Sequence, residues 1–341
     1  MTRMQWLCGL GIAAALCAGA ARAEPVGDFY RGKTLNLILG FPPGGGYDSN
    51  IRVLARHLGK YVPGQPTVTV SNMPGVGSML ALNHLYKSAP ADGTTLAMFA
   101  SSALMEPFLG DKSAAFDPLK FSWIGSMSQD VAFCGVWRAP GVPETFDDML
   151  KTESIWGGGA ASAITYQHPM VLKNVLGAKF KVVPGYAGTR DIYLAMQRGE
   201  VNGMCGLFTS SIQSQWDKEV KSGQLNLVVQ MGPKKTDAFG PVPSVFDYAR
   251  ADDQRAILDF HFRQLLLARP LAGPPDVPAD RLAALRKAFF QTLDDPEFRS
   301  DAAKMGVDVD PVSVEQITGL LTQFSKLSPE IRQKALDAMG R

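Results

Sequence analysis

The stretch that most constrains the fold spans residues 34–58, TLNLILGFPPGGGYDSNIRVLARHL. Residues 35–39 form a short apolar run of the kind found in buried strands. The prolines and glycines of residues 41–46 then end the strand, because proline fixes φ and lacks an N–H group, while glycine adopts backbone conformations closed to other residues. From Tyr47 onward the apolar residues recur at helical spacing. The stretch therefore predicts a strand, a glycine-rich loop and a helix.

A loop of this kind brings free backbone N–H groups and the positive end of a helix to one point, which favours anions, carboxylates among them. The two standard glycine motifs do not match. No Lys-Ser or Lys-Thr follows Gly46, as a P-loop requires, and the glycines at 40, 44, 45 and 46 do not spell GxGxxG. The alternative to an anion site is a purely structural strand-to-helix turn.

The first 23 residues predict a secretory signal peptide. Arg3 precedes an apolar segment at residues 7–20, and Ala21-Arg22-Ala23 forms an A-x-A cleavage site before Glu24. A membrane anchor is the alternative, but the apolar run is shorter than the roughly 20 residues of a spanning helix. We therefore expect an exported protein whose mature chain begins at Glu24.

Charge and composition narrow the class of protein further. Cleavage takes Arg3 and Arg22 from the 34 basic residues and none from the 32 acidic ones, so the mature chain has no net charge. This balance argues against nucleic acid as a partner. The scattered histidines and the two remaining cysteines form no metal-binding motif, so we expect neither a metal nor a cofactor. Residues 24–341 exceed one typical domain, which favours two.

The rest of the chain alternates strand-like segments with glycine-rich turns and helices. The strand-like segments are residues 67–70, 94–100, 131–137, 155–156, 180–184, 201–205 and 225–230. This alternation predicts an α/β fold with parallel sheets, in which ligands bind beyond the carboxyl ends of the strands. The glycine loop at 157–162 mirrors the first one, which indicates two lobes.

The predicted lobes are connected by two crossovers, near Asp130 and Pro241. Residues 24–130 and 242–341 would form the first lobe, and residues 131–241 the second. We expect residues 257–268 to form one long strand or extended segment, and the helices beyond them to pack on the first lobe.

Several of these motifs together resemble the extracytoplasmic solute receptors of tripartite tricarboxylate transporters, the Bug family. The matching segments are GFPPGGGYD, SNMPGVGS, PADGTTL, VPGYAGTRDIYLAMQRGEVNG and PDVPADRLAALRKAFFQTLDDPEFR, in the right order over residues 27–325. The resemblance implies a two-lobed periplasmic binding protein (type II-like), with mainly parallel sheets flanked by helices, that closes on a small carboxylate. It implies a monomer whose partners are that carboxylate and the membrane permease subunits of the transporter.

The resemblance also implies a set of ligand-binding residues. The loops at 43–48 and 185–191 would face each other across the cleft, and residues at strand ends would hydrogen-bond the ligand. By position the set comprises Phe41, Pro43, Gly44, Gly45, Gly46, Tyr47, Asp48, Ser101, Ser102, Ala161, Ser162, Tyr186, Gly188, Thr189, Arg190, Asp191 and Thr209.

Four of these side chains have structural alternatives. Tyr47 and Tyr186 each offer a ring face and a hydroxyl to a ligand, or are surface aromatics. Arg190 can pair with a second carboxylate of the ligand, but we favour an arginine that is solvated or paired with Asp191. We expect Asp48 to cap the helix rather than contact the ligand.

The family's usual strand order would place Cys134 and Cys205 on neighbouring strands of the second lobe. A disulfide there would hold one lobe together without locking the hinge, and two buried thiols are the alternative. Many members have threonine in place of Tyr47 and a glycine-richer run in place of Thr189-Arg190. These departures leave tricarboxylates, dicarboxylates and aromatic acids all open as ligands.

Three functions compete at this stage. A transport receptor would present its closed form to a permease, whereas a sensory binding protein would use the same site and present it to a membrane kinase. An exported enzyme or nucleotide-binding protein would need a general base, and no convincing catalytic set of residues is found in the sequence. We therefore predict a receptor rather than an enzyme.

Overall fold

The computed structural model describes residues 24–341, so the predicted signal peptide lies outside the described residues. In this range the chain forms ten strands and fourteen α-helices. The strands are β1 (Thr34–Leu39), β2 (Thr67–Asn72), β3 (Thr95–Met98), β4 (Ser122–Ser126), β5 (Ala132–Trp137), β6 (Ser154–Gly157), β7 (Phe180–Val183), β8 (Gly203–Phe208), β9 (Leu225–Met231) and β10 (Pro270–Gly273).

The helices flank the strands on both sheets. In chain order they are α1 (Val26–Tyr30), α2 (Gly46–Leu58), α3 (Met79–Lys87), α4 (Glu106–Leu109), α5 (Phe146–Met149), α6 (Ile164–Leu176), α7 (Thr189–Gln197), α8 (Thr209–Gln215), α9 (Asp217–Lys221), α10 (Asp252–Arg263), α11 (Ala279–Asp294), α12 (Pro296–Lys304), α13 (Val314–Ser325) and α14 (Pro329–Ala338). Among the described residues, none of these helices combines the length and the apolarity needed to cross a membrane.

Two five-stranded sheets form the two lobes, which confirms the predicted fold class. The first sheet has the order β2-β1-β3-β10-β4 and the second β7-β6-β8-β5-β9. In each sheet one strand, β10 or β5, runs antiparallel to both neighbours, and the other four point in one direction. The strand-to-loop-to-helix units consequently open at one edge of each sheet, where parallel folds bind ligands.

The crossovers between the lobes run side by side. The chain leaves the first sheet after Ser126 and enters the second at Ala132, and it returns through residues 264–269. The two segments exchange backbone hydrogen bonds of 3.1 Å from Met127 N to Arg269 O and from Ala268 N to Ser128 O. This paired backbone forms the hinge below the space between the lobes.

The return to the first lobe comes later than the predicted crossover near Pro241. Gln230 N in β9 donates to Pro243 O at 2.8 Å, and the Tyr248 ring lies 4.7 Å from the Phe146 ring. Residues 242–250 therefore still pack on the second lobe. The turn-rich composition of residues 232–243 suggested a linker, but this stretch folds back on β9 as a surface loop. We propose that the second lobe extends to the hinge segment at residue 264.

The prediction of a strand or extended segment at residues 257–268 is wrong. Helix α10 occupies Asp252–Arg263, and a 3-10 turn follows at Gln264–Leu267. The helix begins with Asp252 and Asp253, acids that suit its N-terminal end, and buries Leu258 and Phe262, which are four residues apart. The alternation of apolar and polar residues from Leu258 to Arg263 obscured this helical spacing, because such alternation is also typical of strands.

The C-terminal helices only partly follow the prediction. Helices α11, α12 and α13 pack on β4 and α2 of the first lobe, as expected. Helix α14 instead contacts α6 and α10 on the side of the second lobe as well as α4 of the first. Asn174 Nδ2 of α6 donates to the backbone oxygens of Asp337 and Ala338. The last helix thus bridges both lobes on the side of α4, α6 and α10.

Candidate ligand-binding cleft

A cavity of about 450 Å³ lies between the lobes. It is lined by the loops at the carboxyl ends of the strands, where both sheets open. The first lobe contributes residues 40–43, 45–47 and 74–77. The second lobe contributes residues 159–160, 163–165, 185–191, Gly206, Phe208 and Ser211.

Three helices begin at the wall of this cleft. The residues that precede α2, α6 and α7 are Gly45, Ala163 and Gly188, and none of them caps its helix with a side-chain hydrogen bond. All three residues line the cavity. The first N–H groups of a helix lack intrahelical partners and form the positive end of its dipole. The cleft is therefore built to attract an anion.

At two of these helix N-termini, an acidic side chain already offsets the partial positive charge. Asp48 lies in the first turn of α2 and Asp191 in the first turn of α7, while the first turn of α6 has no acidic residue. Asp48 accepts hydrogen bonds from Gly44 N at 3.0 Å and from Arg52 Nε at 2.8 Å. Burial raises the pKa of its carboxyl, but the hydrogen bonds from Arg52, Gly44 and Asn72 outweigh that effect and hold the pKa below its ordinary value.

Asp48 was expected to cap α2, but the residue before the helix is Gly45 and no side chain caps it. Its carboxylate is buried, fastens the glycine loop to the start of α2, and lies outside the lining of the cleft. The N–H group of Gly44 is therefore already bonded to Asp48. A ligand would meet other donors of the loop, such as the N–H groups of Gly45 and Tyr47.

Aromatic rings form the floor of the cleft near the hinge. The rings of Phe41 and Tyr47 stack with centroids 4.3 Å apart, and Phe208 from the second lobe lies edge-on to Tyr47 at 6.0 Å. The Arg269 guanidinium lies beneath them, 4.2 Å from the Tyr47 ring and 4.3 Å from the Phe208 ring. Burial raises the pKa of Tyr47 to about 12, so its hydroxyl stays protonated at neutral pH.

Arg269 is completely buried and connects to Asp130 at the hinge. Its Nη2 donates to Ser210 Oγ at 2.9 Å and lies 3.7 Å from Asp130 Oδ2. Asp130 Oδ1 accepts from the amides of Val131 and Thr209. Burial raises the pKa of Asp130 to about 6, even though Arg269 and the donors act in the opposite direction. Sequence reasoning assigned no role to Arg269 because an isolated arginine in an apolar run carries no motif.

The lobes touch each other across the cleft. Ser162 Oγ of the second lobe donates to Val76 O of the first at 2.7 Å. With its amide oriented to satisfy both groups, Gln215 of α8 accepts from Gly46 N at 2.8 Å and donates to Gly44 O at 3.2 Å. A Cβ atom at Gly46 would overlap the Ser211 side chain. The structure is thus a closed form, and glycine at position 46 is what permits the close approach.

The structure brings ten of the seventeen predicted site residues to the cleft wall. These are Phe41, Pro43, Gly45, Gly46, Tyr47, Tyr186, Gly188, Thr189, Arg190 and Asp191. Whether they contact a ligand stays a prediction. Arg190 is exposed, packs against Gly44, and within residues 24–341 forms no ion pair with Asp191 or another acid. Whether Arg190 pairs with a carboxylate of the ligand stays a prediction.

The other seven predicted residues, Gly44, Asp48, Ser101, Ser102, Ala161, Ser162 and Thr209, lie outside the described lining. Ser101 and Ser102 are buried in a 3-10 turn behind the floor, and their hydroxyls have no partner among the described residues. Thr209 N and Oγ1 bond to the hinge at Asp130 and Val131, and Ser162 joins the two lobes. Their strand-end positions were recognised, but sequence alone could not show which side chains turn away from the opening.

Several lining residues were missed by the sequence analysis. The clearest sequence indication of a further lining segment was Pro74-Gly75-Val76-Gly77, which follows β2 as the loop at 41–46 follows β1. The start of α6, with Ile164 and Thr165, also lines the cleft, and Gly159 N donates to Thr165 Oγ1 at 3.0 Å. Phe208 and Ser211 gave no signal because their approach to the first lobe depends on how the lobes close.

The two cysteines of residues 24–341 lie opposite each other on β5 and β8. Their Sγ atoms are 2.00 Å apart in the structure, the distance of a disulfide bond. Both residues are buried within the second lobe. A bond at this place braces one sheet and leaves the relative movement of the lobes free.

Comparison with known proteins agrees with this architecture. A protein of Cupriavidus necator, described as the UPF0065 protein in the gbd 5′ region, is 25% identical over 344 residues and covers 98% of each chain. The solved structure of the periplasmic binding protein BugD is similar with a TM-score of 0.70 at 18% identity, over 91% of this chain and 99% of that one. A Rhodopseudomonas palustris protein solved with adipate has a TM-score of 0.71 at 15% identity, over 90% and 97% of the two chains.

Two mixed sheets hinged about a cleft define the class of two-lobed periplasmic binding proteins. The family model described as the tripartite tricarboxylate transporter family receptor matches residues 51–335, which is most of the chain. The protein therefore belongs to the tripartite tricarboxylate transporter receptor family, as its motifs indicated.

Proposed function

We propose that this protein is a periplasmic receptor that traps a small carboxylate between its lobes and delivers it to the membrane permease subunits of a tripartite tricarboxylate-type transporter. Its membership of the receptor family supports the transport role. The proposal includes no catalytic step and no cofactor, and the receptor would act as a monomer that nucleic acids do not bind.

The observation that carries the proposal is the meeting of three helix N-termini at a closed cleft between two lobes. Taking a carboxylate out of water costs several kcal/mol unless donors replace the water. Backbone N–H groups at helix starts supply such donors without a titrating side chain. A related fold solved with adipate supports the same ligand chemistry.

Exchange of a ligand requires the lobes to separate about the hinge. Direct contacts join the lobes in the closed form, among them the bond from Ser162 Oγ to Val76 O and the bonds of Gln215 to the first glycine loop. A ligand that bridges the lobes adds contacts available only in the closed form and so shifts the equilibrium towards closure. The closed form would then present both lobes to the permease as one surface.

The experiment that tests the proposal is a thermal-shift screen of residues 24–341, unfolded and refolded beforehand to remove any copurified ligand. The library contains small carboxylates, the uncharged amide of each acid, and nucleotides. A ligand at 100 times its Kd stabilises the native state by about 2.7 kcal/mol, which shifts Tm measurably. We expect one group of acids to raise Tm and their amides to have no effect. A shift with nucleotides alone, or equal shifts with acids and amides, would contradict the proposal.

A further inference from the structure

We propose that the cleft selects a monocarboxylate with an apolar body over dicarboxylates and tricarboxylates. The inference rests on the proposed function and narrows the class of ligand. It follows from two properties of the lining, its charge and the chemistry of its walls.

The charge of the cleft matches one carboxylate. Arg190 is the one basic side chain of the described lining, and Asp191 beside it is the one acidic side chain. Each helix N-terminus is equivalent to roughly half a positive charge. Asp48 and Asp191 already oppose the ends of α2 and α7, so the end of α6 is the one without a nearby acid. Arg190 and Asp191 together add no net charge to the lining, so a second carboxylate would meet no net positive side-chain charge there.

Most of the remaining wall is apolar, although Thr165, Tyr186, Thr189 and Ser211 add hydroxyl groups to the lining. Phe41, Val76, Ile164 and Phe208 line it together with prolines from the loops at 41–43 and 74–77. Such surfaces stabilise a hydrocarbon chain or ring, but they cannot replace the water around a carboxylate. The stacked pair of Phe41 and Tyr47 also offers a flat surface for a ring. One end of the ligand is therefore charged and the rest is hydrocarbon.

The test uses acids that differ in a second carboxylate, hexanoate against adipate and benzoate against terephthalate. Isothermal titration at pH 7.5 measures their Kd values for refolded residues 24–341. We expect the monoacid of each pair that binds to do so at least tenfold more tightly than its diacid. A diacid that binds as tightly as its monoacid, or citrate binding where none of these four acids does, would overturn the inference and leave the proposed function standing. Failure of every carboxylate to bind would instead contradict the proposed function.

A gain-of-function variant provides a second measurement. Val76 lines the cleft and is 58% exposed, and its backbone oxygen rather than its side chain accepts the bond from Ser162. Val76→Lys adds a cation at the wall, so we expect it to lower the ratio of the adipate and hexanoate Kd values at least fivefold. Leu80→Lys is the matched control, because Leu80 is 51% exposed on the neighbouring helix and outside the lining. A ratio that changes equally in both variants, or in neither, would contradict the charge argument.

Discussion

At the scale of single residues, Arg269 connects the hinge to the floor of the cleft. It lies between the rings of Tyr47 and Phe208, which belong to different lobes, and its guanidinium faces Asp130 on the outgoing crossover. A buried charge is tolerated only when it is paired and hydrogen-bonded. Arg269 and Asp130 therefore depend on each other, and removal of one leaves the other uncompensated.

Replacement of Arg269 by methionine tests this dependence through pH. The pKa of Asp130 in the folded protein is about 6, which is above its unfolded value of about 3.9. The stability contributed by its protonated carboxyl is therefore lost as pH rises through 6. Arg269 limits this loss of stability, because its positive charge lowers the pKa of Asp130. We expect Arg269→Met to reduce the free energy of unfolding by about 3 kcal/mol at pH 8 and by clearly less at pH 5. Chemical denaturation at both pH values measures the difference.

Arg263→Met is the control for that experiment. Arg263 pairs with Asp259 one helical turn away, and both side chains are partly exposed. Exposed pairs of this kind contribute at most about 1 kcal/mol, so the control should show a small loss at either pH. Equal losses for Arg269→Met at pH 5 and pH 8 would show that Asp130 does not depend on the charge of Arg269.

Sequence reasoning at this scale succeeded where a residue acts through its own backbone or nearest neighbours. The place of Asp48 in the first turn of α2 was predictable, and its carboxylate accepts hydrogen bonds from Gly44 and Arg52 nearby in the chain and from Asn72 on β2. Ser101 and Ser102 were placed correctly after β3, yet they are buried and are not among the described lining residues of the cleft. Side-chain direction at a strand end depends on the packing of other segments, which local pattern does not contain.

At the scale of elements, the glycine loops were the clearest sequence indication of where strands end and helices begin. Each one ends a strand and starts a helix, as a run of proline and glycine before helical spacing predicts. Helix α10 was mistaken for a strand because apolar and polar residues alternate from Leu258 to Arg263, as in a half-buried strand. The helix packs against α6 and α14, and its buried residues include Leu258 and Phe262.

The disulfide between β5 and β8 leads to a prediction for the second lobe. Cys134 and Cys205 are 71 residues apart in the chain, and closing a loop of that length stabilises the folded state by up to about 4 kcal/mol in the chain-entropy account. We expect reduction of residues 24–341 to lower the free energy of unfolding by roughly 2–4 kcal/mol while carboxylate affinity stays within twofold, because the bond lies inside one lobe.

The double variant Cys134→Ala, Cys205→Ala controls for effects of the reductant, and its stability should not respond to it. A thiol assay on the denatured, non-reduced protein gives an independent check. It should find no free thiol in residues 24–341, and two free thiols would show that the cysteines are unpaired.

At the scale of the whole molecule, the repetition of one unit made the architecture predictable. Strand, glycine loop and helix occur in both halves of the sequence, and two such halves form two sheets of matching topology. The exact return to the first lobe was not predictable, since residues 242–250 join the second lobe through contacts with distant residues such as Phe146. The long-range pairing at the hinge likewise has no local signature.

The central claim is that the ligand is held by closure of the lobes, and two neighbouring glycines allow a direct test. A Cβ atom at Gly46 would overlap Ser211 Oγ and lie 2.9 Å from Ser211 Cβ on the opposite lobe, whereas one at Gly45 would meet nothing nearer than Thr189 Oγ1 at 4.0 Å. Neither glycine has a positive φ, so alanine strains neither backbone.

The measurement is the Kd of the tightest-binding acid of the screen for the wild type, Gly45→Ala and Gly46→Ala by isothermal titration. We expect Gly45→Ala to bind within about twofold of the wild type. Gly46→Ala should bind at least tenfold more weakly, a loss of about 1.4 kcal/mol, because its methyl group keeps the lobes apart. Equal affinities for all three proteins would contradict the claim that closure at this contact traps the ligand.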